Sequence, residues 1–114
     1  MKFFQSAVVR AEMAEISELQ EEVYSNIFKF PSMKKEDQLN HFELLTRFIE
    51  KQQILYARLS LSDDPEALKM KENIIQSASM MGVPSNVDMS KIFNQMSEMV
   101  DVLKDQIDKN QFSL

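Results

Sequence analysis

Few side chains in this 114-residue sequence could do chemistry. His41 is the only histidine, and Asp37 stands one helical turn before it. At that spacing a carboxylate can orient an imidazole base or share a metal ion with it. The residue three before His41 is Gln38, however, so the Glu-x-x-His pattern of di-iron bundles is missing. A surface contact, or a histidine at the edge of a core, accounts for the pair without chemistry. Ser62, Asp63 and Asp64 offer neighbouring carboxylates for cation binding or acid–base work, but Pro65 follows at once and makes helix capping the simpler account. With no cysteine there are no disulfides, zinc–thiolate sites or thiol nucleophiles, and with one glycine there is no phosphate-cradling loop. The residues therefore predict no catalytic, cofactor or metal site and a chain that is not an enzyme.

Residues suited to binding are more numerous. Arg47, Lys51 and Arg58 return to one side of a helix and could form a basic stripe for nucleic acid. The stripe is short, Glu43 and Glu50 interrupt it, and the glutamates Glu12, Glu15, Glu18, Glu21 and Glu22 offer partners across a hairpin. Gln20 and Gln52 are each the one polar residue in an otherwise apolar heptad seam. Buried glutamines there could fix register or oligomeric state by pairing with each other or across a symmetry axis, unless the seams are locally open to solvent. Phe3 and Phe4 precede the first helix and must either fold back on their own bundle or dock on another subunit. Met80, Met81, Met89, Met96 and Met99 cluster late and suit an adaptable groove or an ordinary core.

Four helical segments position these residues. The first is expected from about Ser6, its N-cap, to Lys29, with Val9, Met13, Ile16, Gln20, Val23, Ile27 and Phe30 spaced alternately four and three apart. Phe30-Pro31-Ser32 ends it. The second is expected from Met33 to about Ser60 with Ser32 as N-cap and a seam of Phe42, Leu45, Ile49, Gln52, Tyr56 and Leu59. At ~1.5 Å per residue it is about 40 Å long, too long for a compact domain whose radius of gyration would be near 13 Å. Asp64 caps a third helix that begins at Pro65 and ends at Gly82, the only glycine, where a left-handed C-terminal cap is wanted. Ser85-x-x-Asp88 resembles a capping box for a fourth helix reaching about Lys109. The fold class is all-α: an elongated antiparallel hairpin of two long helices plus a shorter helical pair, expected to form a dimeric bundle. Residues 1–109 make one helical domain and 110–114 a frayed tail.

The chain is 44% apolar, enough for a core, and its net charge of −5 works against non-specific binding to nucleic acid or anionic lipid. No apolar run approaches the ~18 residues of a membrane span, and the stretch after Met1 turns polar too soon for a signal peptide. A cytoplasmic setting is the expectation, with no membrane role. The leading function is a non-catalytic protein-interaction or regulatory protein acting as a helical homodimer, with Phe3, Phe4, Gln20 and Gln52 as candidate interaction residues. Its partners would be a second copy of itself and another protein. The alternative is a nucleic-acid-binding regulator that uses Arg47, Lys51 and Arg58.

Phe3-Phe4-x-Ser6-x-x-Val9-x-x-Glu12, then Arg58-Leu59-x-Leu61-Ser62-Asp63-Asp64-Pro65-Glu66-Ala67, then Met81-Gly82, resemble an uncharacterised small helical protein family of cyanobacteria and cyanophages that carries a domain-of-unknown-function label. The resemblance spans nearly the whole chain. It implies a cyanobacterial or cyanophage source and a cytoplasmic setting, and it supplies no activity and no site residues.

Overall fold

A computed structural model of the chain describes residues 2–80, 82–84 and 88–109. Among these there are four α-helices and no strand: α1 (Ala7–Ile27), α2 (Lys35–Leu61), α3 (Pro65–Met80) and α4 (Met89–Asp108), with short 3-10 turns at Phe3–Gln5 and Phe30–Ser32. Ser6 caps α1, its hydroxyl accepting the Val9 N–H at 3.5 Å. The expected cap of α2 is corrected. Phe30-Pro31-Ser32 forms a 3-10 turn and the Ser32 hydroxyl donates backward to the Lys29 carbonyl at 2.9 Å. Lys34 is the N-cap instead and contributes no side-chain bond. The positive helix end is met by Glu36 and Asp37 in the first turn. Gln38 ties the turn down by donating to the Phe30 carbonyl at 2.9 Å.

Asp64 caps α3, accepting the Glu66 N–H at 3.0 Å. The far end closes on Gly82 at φ +98°, in the left-handed region. Its N–H bonds to the Ser79 carbonyl at 3.0 Å, and Val83 N–H reaches back to Ala78 at 2.9 Å. This pair of bonds satisfies carbonyls the helix would otherwise leave open. Helix α4 begins one residue after Asp88, which accepts the Ser90 N–H at 3.0 Å. The cap expected at Ser85 lies outside the described residues, as do Met81 and the tail 110–114.

Helix α2 is the spine. It packs against α1 on one flank, α4 on the other and α3 near its C-terminal end. Both flanking helices run antiparallel to it. Glu12 meets Arg58 and Glu15 meets Lys51 along α1, while Asn94 meets Gln53 and Lys104 meets Glu43 along α4. Helices α3 and α4 each dock chiefly on α2.

The buried side chains fall into two clusters. Phe42, Ile49, Met89, Phe93, Val100 and Ile107 join α2 to α4. Phe3, Val9, Leu55, Leu59 and Ala67 join the N-terminal turn, α1, α2 and α3. Ile74 of α3 packs against both. The radius of gyration is 16.1 Å, above the ~13 Å of a compact domain this long. The extents of 49 × 31 × 19 Å describe an elongated body. At helix diameters of ~10 Å, that is about three helices wide and two deep.

Candidate functional site

The residues singled out by type and spacing end up in three different settings. Phe3 is buried beside Leu59 and Ala67, and its ring meets Phe4 edge-on at 5.0 Å. Its backbone N–H donates to Asp64 Oδ2 at 2.6 Å, across 61 residues of chain. Phe3 thus folds back on its own bundle, with Phe4 packed on the same cluster. The carboxylate read as a cap for α3 also holds the Phe3–Gln5 turn. Backbone N–H groups of Phe3 and then Glu66 hold the Asp64 carboxyl below its ordinary pKa, against the opposing effect of burial.

The basic stripe faces α1. Arg58 makes a two-oxygen contact with Glu12 at 2.8 and 3.0 Å, and Lys51 pairs with Glu15 at 2.9 Å. Arg47 is exposed and has no such partner among the described residues. Two of the three positive charges are therefore answered within the hairpin. His41 and Asp37 line one open pocket of about 520 Å³, with Glu22, Asn26 and Lys29. The imidazole is buried against Phe30, ring centres 5.5 Å apart, and its Nδ1 has no hydrogen-bond partner. Burial pushes its pKa down, as expected where a charged ring would lack solvent. No group of three or more His, Cys, Asp or Glu side chains that could hold a metal ion occurs among the described residues.

The glutamine seam is the third setting, and it is the solvent-open alternative that describes Gln20. Leu19, not Gln20, is the buried position of α1, and Gln20 is exposed. Gln52 is half-buried and lines an apolar cavity of about 340 Å³ with Leu55, Tyr56, Leu59, Ile74 and Phe93. The two glutamines therefore have different surroundings. The cause is the position of α3, which carries Ala67 into the cluster of Phe3 and Leu59, and Ala78 into that of Met89 and Phe93. It crosses over the C-terminal end of α2 and leaves the other end uncovered.

That end carries several exposed apolar side chains beside the polar pocket at His41. At 100° per residue, His41, Leu45, Phe48 and Gln52 lie within ~60° of one another on α2, midway between the residues that meet α1 and those that meet α4. On α1, Gln20, Tyr24 and Ile27 occupy a similar sector that turns the same way. On α4, Met96, Leu103 and Met99 do the same, because the opposite edge holds Asn94 and Lys104 against the polar side of α2. Tyr24, Ile27, Met96 and Met99 are exposed, Met99 to 65%. Leu45, Phe48 and Leu103 are half-buried. Together these sectors form an open face with α2 as its floor, bordered by Asp37 one turn before His41. The late methionines are divided: Met89 is buried in the core, while Met80, Met96 and Met99 are exposed.

Separately, Phe28 is 92% exposed just past the end of α1, on the turn after Tyr24. Scattered apolar exposure is ordinary, but contiguous apolar surface marks contact sites. Such a face could bury apolar area against another protein surface. No helix among the described residues is long and apolar enough to cross a membrane.

The family model described as "Domain of unknown function (DUF1825)" matches residues 1–107, and the label is of the kind the quoted motifs implied. No curated protein and no solved structure matches the chain.

Proposed function

Since the chain belongs to the DUF1825 family, a domain of unknown function, we propose a function from its own surfaces: a non-catalytic protein-interaction protein that works as a helical homodimer. The observation that carries this is the group of exposed apolar side chains Tyr24, Ile27, Met96 and Met99 on α1 and α4. Apolar surface of that extent is unfavourable in water, and covering it is favourable at ~25 cal/mol per Å² before association costs. Protein surfaces that meet other proteins have the same character, depleted of charge at the centre and enriched in aromatics and methionine. The remaining outer surface, with Glu12–Arg58 and Glu15–Lys51 paired in place, supplies solubility.

Sedimentation equilibrium of the full chain at tens of micromolar tests this function. A mass twice the 13.3 kDa of one chain is expected. A compact monomer throughout that range would remove the homodimer. The nucleic-acid alternative rests on Arg47, the stripe residue without an acidic partner among the described residues. It requires salt-sensitive retardation of DNA or RNA that Arg47→Glu abolishes.

A further inference from the structure

We infer that the cavity of about 340 Å³ lined by all four helices is a binding site for one small, uncharged, largely apolar molecule that carries a hydrogen-bonding group. The site lies within one chain, so the inference is independent of the homodimer.

The cavity follows from how α3 sits on α2. Ala67 seats the first turn of α3 in the cluster of Phe3 and Leu59 and is 0% exposed. Beyond it Met70, Ile74 and Ala78 recur every fourth residue, so one stripe of α3 faces the cavity. The stripe opposite, on α2, includes Gln52, Tyr56 and Leu59. Side chains of α1 and α4 line the remaining walls. Ala78 packs towards the α4 cluster with only a methyl group, and the space a longer side chain would take there belongs to the cavity.

Three properties of the walls define the occupant. The first is size. Native interiors are close-packed, with few voids larger than a water molecule, whereas ligand pockets begin at about 300 Å³. An apolar cavity of about 150 Å³ takes one benzene ring. The volume here therefore suits about two fused rings, or an aliphatic chain of similar bulk.

The second is polarity. No Asp, Glu, Lys, Arg or His lines the cavity. Lys71 stands over the Tyr56 ring, its Nζ 6.0 Å from the ring centre, without joining the lining. An ionised occupant would lose its hydration and find no counter-charge in the walls, which is costly. Water is a poor occupant too, because a buried water makes about three hydrogen bonds to polar groups. Only Gln52 and Tyr56 bring polar side-chain atoms to the lining, and both come from α2. The walls contributed by α1, α3 and α4 suit an apolar body.

The third is orientation. Gln52 and Tyr56 stand one helical turn apart on the same wall. The neighbouring Gln53 amide donates to Asn94 at 3.3 Å. The half-buried Gln52 amide has no such partner among the described residues, which leaves its N–H donors and its carbonyl for an occupant. A hydroxyl, carbonyl or amide on the ligand meets them, as the few placed polar groups of an apolar pocket do.

Heteronuclear NMR titration of the full chain with 2-naphthol tests the site, since that probe has two fused rings and one hydroxyl. One molecule per chain is expected, with a dissociation constant on the order of 100 μM. The amide shifts should concentrate at Gln52, Ile74, Ala78 and Phe93. The charged analogues 2-naphthoate and 2-naphthylmethylammonium are both expected to bind at least about tenfold more weakly. Gln52→Leu should lower the affinity for 2-naphthol relative to naphthalene about fivefold. Ala78→Phe puts a ring into the cavity and should weaken 2-naphthol at least about tenfold with the helical circular dichroism retained. If Ala78→Phe loses its helical signal, Ala78→Leu takes its place, with at least about threefold weakening expected. Three results would each overturn the site: no shift with 2-naphthol or naphthalene up to the solubility limit, shifts centred instead on Tyr24 and Met99, or undiminished binding by a folded Ala78 variant. Equal binding of either charged analogue overturns the ligand class, and an unchanged affinity ratio in Gln52→Leu overturns the hydrogen-bonding wall.

Discussion

Leu59 and Leu61 are the same residue type two positions apart, and the structure gives them opposite surroundings. Leu59 is 0% exposed where the N-terminal turn, α1, α2 and α3 converge, and Leu61 is 89% exposed at the end of α2. Leu59→Ala removes three buried carbons, worth ~0.8 kcal/mol each, or about 2.4 kcal/mol of transfer free energy. A cavity term adds to this. Leu59 already borders the 340 Å³ cavity, so its neighbours have no close-packed partner to relax onto, and the vacated space should persist. At ~24 cal/mol per Å³, roughly 70 Å³ of uncollapsed space contributes about 1.7 kcal/mol. The expected loss is therefore ~4 kcal/mol, a large part of the 5–15 kcal/mol that stabilises an ordinary domain. Urea unfolding followed by circular dichroism at 222 nm measures it. With a slope of ~1.5 kcal/mol/M the midpoint should fall by ~2.5 M at unchanged slope. Leu61→Ala should move the midpoint by less than about 0.5 M, as surface substitutions do. A loss below ~1.5 kcal/mol for Leu59→Ala, or equal losses at the two positions, would refute the assignment of Leu59 to the centre of the junction.

Two further outcomes follow from local geometry. Gly82→Ala meets no steric obstacle, since a Cβ there has nothing within 4 Å. Its cost is then the left-handed backbone alone, about 1–2 kcal/mol, with Gly82→Asn losing less because asparagine tolerates that region; chemical denaturation of the three proteins checks the order. Burial lowers the pKa of His41 in the folded chain below the ordinary histidine value near 6.5. The unfolded state therefore binds more protons on acidification, so the stability this site contributes is present above pH 6.5 and declines as pH falls through that value toward the lowered folded pKa. Glu22, Asp37 and Lys29 line the same pocket and stay unchanged in the comparison of parent with His41→Leu. Thermal melts should show the parent losing stability between pH 7 and 5 more steeply than that variant, and parallel profiles would refute a buried neutral imidazole.

The caps and breaks were legible because they depend on neighbours in sequence. Ser6, Asp64-Pro65 and Gly82 act through backbone groups within a few residues, and each stands where its chemistry predicts. Ser32 was misjudged for a reason of the same scale: Pro31 suits a 3-10 turn as well as a helix stop, so the new helix starts three residues after Ser32. The phase of the α1 seam was not legible. The run through Gln20 and the run through Leu19 both fit helical spacing up to Ile16, and only the path of α3 and α2 decides which is covered. That path is a long-range property, as is the tie between Phe3 and Asp64. The open face was hidden for the same reason, since the residues Tyr24, Met96 and Met99 that mark it lie on two helices far apart in sequence. His41, weighed as an edge-of-core histidine, does sit at an edge, but its unpartnered Nδ1 depends on Phe30 folding over it from the hairpin turn.

The bond from Phe3 to Asp64 has a bearing on how the molecule would be watched from outside. An amide in a three-residue 3-10 turn outside the helices ordinarily exchanges its hydrogen with solvent readily, because such segments open at little cost. This one is buried and closes a loop containing the whole α1–α2 hairpin. Its exchange requires the Phe3–Gln5 turn to leave Asp64 and the cluster around Leu59. The Phe3 amide is thus a single-proton clock for the release of that turn from the bundle, readable without any label. The α4 half keeps a different clock in its own backbone amides, so the two can be timed separately in one sample.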